Sequence, residues 1–333
     1  MNAHSVPPGL SARDVPHLTS ATCGTICPMT FRSGGSLDRQ VSTGGGRGGP
    51  IAIGGGFGGL LLVGLYLLLG GDLSGGGGQP QQPAPQPEGQ SDQSGFGNYN
   101  DVESDGSLDH CQTTDDANKY DDCRIIATAQ SLDEEWATLL PEQAGIDYTK
   151  PGLQIFSRQT QTGCGAAQSS TGPFYCPADG TAYFDTSFFD QLTQMGGSDA
   201  PLAQEYVVAH EFGHHIQDLE GTLGMSNYDD PGPESNAVKI ELQADCYAGL
   251  WATQADEGDN KMLEPLTEEQ VASAIQTAGA IGDDHIQKQS GGYVNPESFT
   301  HGSSEQRQKM FMAGYNGGTM ESCDILGTGG YNY

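Results

Sequence analysis

The chain has 333 residues, 50 of them glycine and 18 proline, with only 35% hydrophobic residues; this is too polar and glycine-rich for one evenly packed globule. Its formal net charge is -30, and so acidic a chain is repelled by nucleic acid and by anionic lipid, which excludes both as partners. Setting the low-complexity stretches aside leaves roughly 230 residues, enough for one domain with its own core.

The charge is unevenly spread. Residues 1–50 carry Arg13, Arg32, Arg39 and Arg47 against Asp14 and Asp38, net +2, so residues 72–333 hold the remaining 9 basic and 41 acidic side chains, net -32. Between them "IAIGGGFGGLLLVGLYLLLGG" (51–71) has no charged residue. At 1.5 Å rise per residue such a stretch spans roughly 30 Å of hydrocarbon, which predicts one transmembrane helix. Its exit, "GGDLSGG", lacks an A-x-A cleavage pattern, so the helix is expected to stay as an anchor. The arginines before it place residues 1–50 in the cytoplasm and the C-terminal part outside, in a single-pass cell-membrane protein. Residues 72–100, rich in Gly, Pro and Gln, read as a disordered linker, and the folded domain is expected over 101–333.

Cys23 and Cys27 precede the apolar stretch, whereas Cys111, Cys123, Cys164, Cys176, Cys246 and Cys323 follow it. An even number on the exported side suits disulfides. Loop length suggests Cys111 with Cys123 and Cys164 with Cys176, leaving Cys246 for Cys323. Zinc ligation by Cys164, Cys176 and Cys246 is the alternative, although no C-x-x-C pair occurs.

In the domain, "SLDEEWATLL" (131–140) opens with a capping-box pattern, Ser131 with Glu134, puts Trp136, Leu139 and Leu140 on one helical face, and is closed by Pro141. "GLQIFS" and "TAYFDTSFFDQL" read as strands, the second running into a helix, around the loop "CGAAQSSTGPFYC". An edge strand there, beside a catalytic helix, would give an extended substrate something to pair with. "AQEYVVAHEFGHHIQDLEG" (203–221) is a helix stopped by Gly221. "NAVKIELQADCYAGLWATQA" is another, with Ile240, Ala244, Tyr247 and Trp251 in one buried stripe. A last long helix starts at Thr267, capped by Gln270, and runs towards Ile281.

The chemistry concentrates at 210–245. In "HEFGH", His210 and His214 are four apart, so both imidazoles leave one helix face and can converge on an ion, with Glu211 beside them placed to act as a base. The preceding "YVVA" is apolar, and buried histidines need partners. A catalytic zinc wants a third protein ligand. "ELQAD" offers it: Glu241 can ligate while Asp245, on the same face, accepts the free imidazole N–H of a ligand histidine. The alternatives are a polar helix with exposed histidines and a solvated acidic face.

This arrangement resembles the gluzincins, H-E-x-x-H followed on a later helix by E-x-x-x-D. More closely, "GCGAAQSSTGPFYCPADGTAYFD", "YVVAHEFGHHIQ", "ELQADCYAGLWA", "AIGDDHIQ" and "SFTHGSSEQR" together resemble the neutral zinc metallopeptidase family of bacterial membrane-anchored proteins. The resemblance runs from about residue 101 to the C-terminus. It implies an α+β fold: a mainly helical, zincin-like metallopeptidase domain with a small early β-sheet. It also implies His210, His214 and Glu241 as metal ligands and Glu211 as base. The family's N-terminal phrase begins at "MTFRSGGSLD", which makes Met29 a candidate true start.

"THGSSEQR" resembles a T-H-P-x-x-x-x-R phrase of membrane-embedded zinc peptidases, with Gly302 in place of the proline, and makes His301 a candidate oxyanion stabiliser. His215 and His285 read as structural, and His110 has no argued role. The expected protein is a membrane-anchored, extracytoplasmic endopeptidase with one Zn2+ per chain, peptide or protein substrates, and Glu211 as general base on the attacking water. The alternative is a catalytically inactive, zinc-stabilised, disulfide-rich binding module of the cell envelope.

Overall fold

The computed structural model describes residues 30–44, 107–255 and 261–331. The expected transmembrane stretch and linker lie outside them; among the described residues no helix is long and apolar enough to cross a membrane. The described part is mixed α+β, about half helical with a small sheet, and its helices supply most of the core.

The strands are β1 (Ser42–Gly44), β2 (Gly152–Phe156), β3 (Gln159–Thr162), β4 (Gly165–Gln168), β5 (Phe174–Cys176) and β6 (Thr181–Asp185). One sheet has the order β1-β2-β6-β5, in which β1 and β6 run parallel to β2 and β5 runs antiparallel to β6, Tyr175 opposite Ala182. β3 and β4 form a separate hairpin, and β5 is an edge strand of the main sheet.

The helices are α1 (Thr114–Ala117), α2 (Asp121–Ala144), α3 (Ser187–Gln194), α4 (Pro201–Glu220), α5 (Asn236–Gln254), α6 (Glu268–Ala280), α7 (Asp283–Gln289) and α8 (Ser304–Gly317). Residues 202–217 of α4 are buried on every face, which makes α4 the central helix. It is flanked by α2, α5, α6 and the β5–β6 hairpin. Small residues set the closest crossings. A Cβ on Gly213 of α4 would lie 2.9 Å from the Ala244 Cα of α5, and Cβ atoms on Gly249 and Gly314 would strike the Phe311 and Cys246 carbonyl oxygens where α5 meets α8.

Three expectations change. Ser131 sits in the middle of α2, which begins at Asp121, and Pro141 lies inside its last turn; Gly145, at φ 68°, ends the helix. The helix at Thr267 keeps its capping box but is not the last long one, because α8 follows, capped by Ser303 and Gln306. The domain also does not begin at 101. Phe31 is fully buried, its N–H and C=O both bonded to the Asn118 side chain; β1 adds to the sheet; and Arg39 forms a buried ion pair with Asp133. A single crossing at 51–71 would put residues 30–44 and 107–331 on opposite sides of a bilayer, and their packing against each other is incompatible with that arrangement.

Cys111–Cys123, Cys164–Cys176 and Cys246–Cys323 are disulfides with Cα separations of 5.0, 5.8 and 5.5 Å. They tie the chain before α2 to its first turn, the β3–β4 hairpin to β5, and α5 to the C-terminal segment. Cys164, Cys176 and Cys246 are therefore not free to ligate a metal.

Candidate metal centre

The close α4–α5 crossing at Gly213 turns the two motifs towards each other. His210 and His214 leave α4 on one face, Glu241 and Asp245 leave α5 on one face, and all four side chains are buried. One ligand atom from each of His210, His214 and Glu241 lies within 4.8 Å of the other two. His210 Nε2 is 3.2 Å from Glu241 Oε2, and His214 Nε2 is 3.5 Å from Glu241 Oε1.

The other side of each imidazole is fixed. Asp245 Oδ1 accepts from His210 Nδ1 at 2.8 Å, and Gln217 Oε1 accepts from His214 Nδ1 at 2.8 Å, which leaves both Nε2 atoms facing Glu241. Gln217 is itself held, donating to the Ile240 carbonyl and to Gln243. Asp245 receives Arg307 Nε and Nη2, each at 2.9 Å, and the Tyr206 hydroxyl at 2.5 Å. Arg307 is fully buried on α8, which is why α8 must pack so tightly on α5.

His214 Nε2 and Glu241 Oε1 are buried with no hydrogen-bond partner. An unpaired nitrogen and an unpaired carboxylate oxygen aimed at one point are what a bound cation satisfies, and two imidazoles with a carboxylate suit zinc. Burial pulls the His214 imidazolium down to about 4, so at neutral pH it offers a lone pair. Burial opposes ionisation of Glu241 as well, but the two histidines outweigh it and hold its carboxyl well below the ordinary range.

Glu211 is buried beside this cluster. Burial, and then the Glu241 charge, push its carboxyl up to about 7, while His210 and the Tyr175 backbone N–H oppose the rise. Tyr175 lies on β5, at the edge of the main sheet.

His301 lies in the loop before α8, buried. Its Nδ1 is 3.1 Å from Asp283 Oδ1, and Asp283 Oδ2 accepts the N–H groups of Thr300, His301 and Gly302 at 2.8, 2.8 and 3.1 Å. His301 Nε2 has no partner, and a charge on the ring stabilises the Glu241 carboxylate. Gly302 adopts φ +93°, which proline cannot, so this turn differs from the T-H-P phrase it resembles.

Four residues here went unread in the sequence: Asp283, Gln217, Arg307 and Tyr228. Asp283 stood in "AIGDDHIQ" and Arg307 closed "SFTHGSSEQR", but only the packing gives either a role. Tyr228 sits in the loop between α4 and α5, its hydroxyl buried and unpartnered, and burial followed by the Glu241 and Glu211 charges drives its phenol far up. His215 bonds the Tyr175 hydroxyl and the Thr149 carbonyl, His285 the Met195 carbonyl, and His110 pairs with Asp122, none of them at the cluster.

The profile of the family described as "Putative neutral zinc metallopeptidase" matches residues 30–326. An uncharacterized protein of Mycobacterium tuberculosis is 49% identical over 225 residues, 66% of this chain and 75% of that protein. The uncharacterized protein YpfJ of Escherichia coli is 40% identical over 218 residues, 64% of this chain and 72% of that protein. No solved structure matches.

Proposed function

The chain belongs to the neutral zinc metallopeptidase family, and from that premise we propose that it is an endopeptidase whose zinc is held by His210, His214 and Glu241. Zinc in such a site supplies Lewis acidity, bringing the pKa of a water towards about 7 and polarising a carbonyl. The chain's own groups do the rest. Asp245 and Gln217 hold the two histidines by their Nδ1 atoms, so that both Nε2 lone pairs face inward. Glu211, whose carboxyl sits at about 7, takes a proton from the attacking water and passes it to the leaving amine.

His301, oriented by Asp283 at its Nδ1, turns its unpartnered Nε2 to the oxygen on which charge develops. The Tyr228 hydroxyl, buried near Glu211 and Glu241 without a partner, is a second donor for that charge. An extended peptide that adds to the free edge of β5 brings its carbonyl past Glu211. The observation that carries this reading is the pair of unpartnered atoms, His214 Nε2 and Glu241 Oε1, facing each other beside a buried carboxyl poised near neutrality.

The three disulfides favour an oxidising compartment for the working protein. The test is bound-metal analysis and cleavage of unfolded casein by wild type and Glu211→Gln. One zinc per chain in both, with cleavage in the wild type alone, is the expected result. Zinc in both with cleavage by neither would favour the binding module.

A further inference from the structure

A second group of metal-ligating side chains sits at the start of α2, apart from the centre built on α4 and α5. His110 precedes Cys111 and Asp122 precedes Cys123, so two dipeptides each offer a sulfur and a harder donor. One ligand atom from each of the four lies within 4.8 Å of the other three. Cys111 and Cys123 are joined as a disulfide, with Cα atoms 5.0 Å apart, and both are buried. The His110 and Asp122 side chains are 39% and 23% exposed, so the group opens to solvent through them.

The nitrogen and the oxygen already stand at coordination spacing. His110 Nε2 is 3.2 Å from Asp122 Oδ1 and 3.0 Å from Oδ2. Two ligands bonded at about 2.0 Å to one tetrahedral zinc are about 3.3 Å apart. The same 3.2 Å separates His210 Nε2 from Glu241 Oε2. Asp122 Oδ1 is held by the Cys123 N–H at 2.8 Å, and the His110 ring packs edge-on against Tyr120. Only the sulfurs are misplaced for a metal: two thiolates on tetrahedral zinc stand about 3.8 Å apart, and a disulfide bond forbids that spacing. Cys123 is the third residue of α2, where the helix dipole favours a thiolate.

We propose that His110, Cys111, Asp122 and Cys123 form a redox-gated zinc site, a disulfide when oxidised and a four-ligand metal site when reduced. A dithiol reductant gives two electrons to the Cys111–Cys123 bond and a proton to each sulfur, and is itself oxidised to a disulfide. Zinc then displaces those two protons and takes both thiolates, His110 Nε2 and one Asp122 oxygen. Two thiolates and an imidazole select zinc over hard cations such as magnesium and calcium. Four protein ligands leave no open position, so this site is structural, unlike the three-ligand centre at His210. Sulfur bonded to sulfur, or to zinc, ties the chain before α2 to its first turn in either state. That chain in turn helps hold residues 30–44, because the Gln112 carbonyl accepts the Leu37 N–H at 3.0 Å.

Cobalt(II) is the probe, since thiolate ligands give it a near-ultraviolet charge-transfer band that nitrogen and oxygen ligands do not. The metal-free full chain is titrated as it stands and after reduction with a dithiol that is then removed without air. Reduction is expected to add one cobalt per chain together with that band. The double variant Cys111→Ser with Cys123→Ser should lose both. His110→Ala should weaken the added site about tenfold or more, at least the loss seen when an outer partner of a metal site is removed. No added cobalt on reduction overturns the proposal. So does a band that survives the double variant or is indifferent to His110→Ala, either of which assigns it to the thiols of the other two disulfides. Should full reduction unfold the chain, Cys111→Ser without reductant leaves Cys123 a free thiol and the other two disulfides intact. That variant should bind one cobalt more than wild type, with a weaker band, and its failure to do so sinks the idea.

Discussion

The inner and outer halves of the centre are built from the same residue types and differ in saturation. On the inner side His210, Asp245, Arg307 and Tyr206 form a closed set in which Asp245 receives three donors besides the histidine, all buried. On the outer side His214 Nε2, Glu241 Oε1, His301 Nε2 and the Tyr228 hydroxyl are all buried and all unpartnered. The inner half holds the helices in register; the outer half keeps its hydrogen-bonding capacity for what arrives. Satisfied polar networks rigidify, whereas unsatisfied ones are retained at a cost where a ligand repays it.

The largest effect should come from breaking the inner half. Asp245→Ala strands the buried Arg307 charge and is expected to cost about 3–5 kcal/mol of folding stability, read by denaturant titration, with zinc affinity falling alongside. Next, Glu211→Gln should leave stability and zinc content near wild type while lowering kcat by about 10²–10⁴, measured on a peptide substrate. A smaller loss, about 10²-fold to 10³-fold in kcat with KM little changed, is expected for His301→Ala. Equal damage to folding from His301→Ala and Asp245→Ala would erase the distinction between the halves.

The smallest effect concerns the seam between them. Asp284 accepts from Ser304 N and Oγ at the start of α8, next to Asp283, which holds the His301 loop. Burial raises its carboxyl slightly, but Lys288 and Ser304 outweigh this and hold it at about 2, below the ordinary carboxylate range. Its folded-state pKa being depressed, its stabilisation is complete above about pH 4 and is lost as pH falls through about 2. Exposure keeps it under about 1 kcal/mol. The stability difference between wild type and Asp284→Asn should therefore vanish in that acid window.

How much was legible follows the range of the interactions. The i, i+4 pairs on α4 and α5 are local, so the convergence of His210, His214 and Glu241 could be read from spacing, as could the caps at Gly221 and Thr267. The Cys111–Cys123 and Cys164–Cys176 loops were short enough to suggest their pairing. α8 was missed although "SSEQ" carries a capping box at Ser303 and Gln306, because its face against α5 is written in Gly314 and Phe311 rather than in a strong apolar stripe. Ser131 with Glu134 imitated a helix start inside a helix that already existed. Tyr228 had no signal at all: only the folding of its loop over the α4–α5 crossing gives its hydroxyl a setting. Residues 30–44 were assigned away from the domain because charge and hydropathy describe segments one at a time, and β1 finds its partner more than a hundred residues on.

That strand has a mechanical consequence. Residues 30–44 and residues 107–331 pack into one body, so β1 is joined to the rest by its ladder with β2 as well as by the covalent chain. A protease nick between 45 and 106 should thus yield two fragments on a denaturing gel that still elute together as one particle under native conditions.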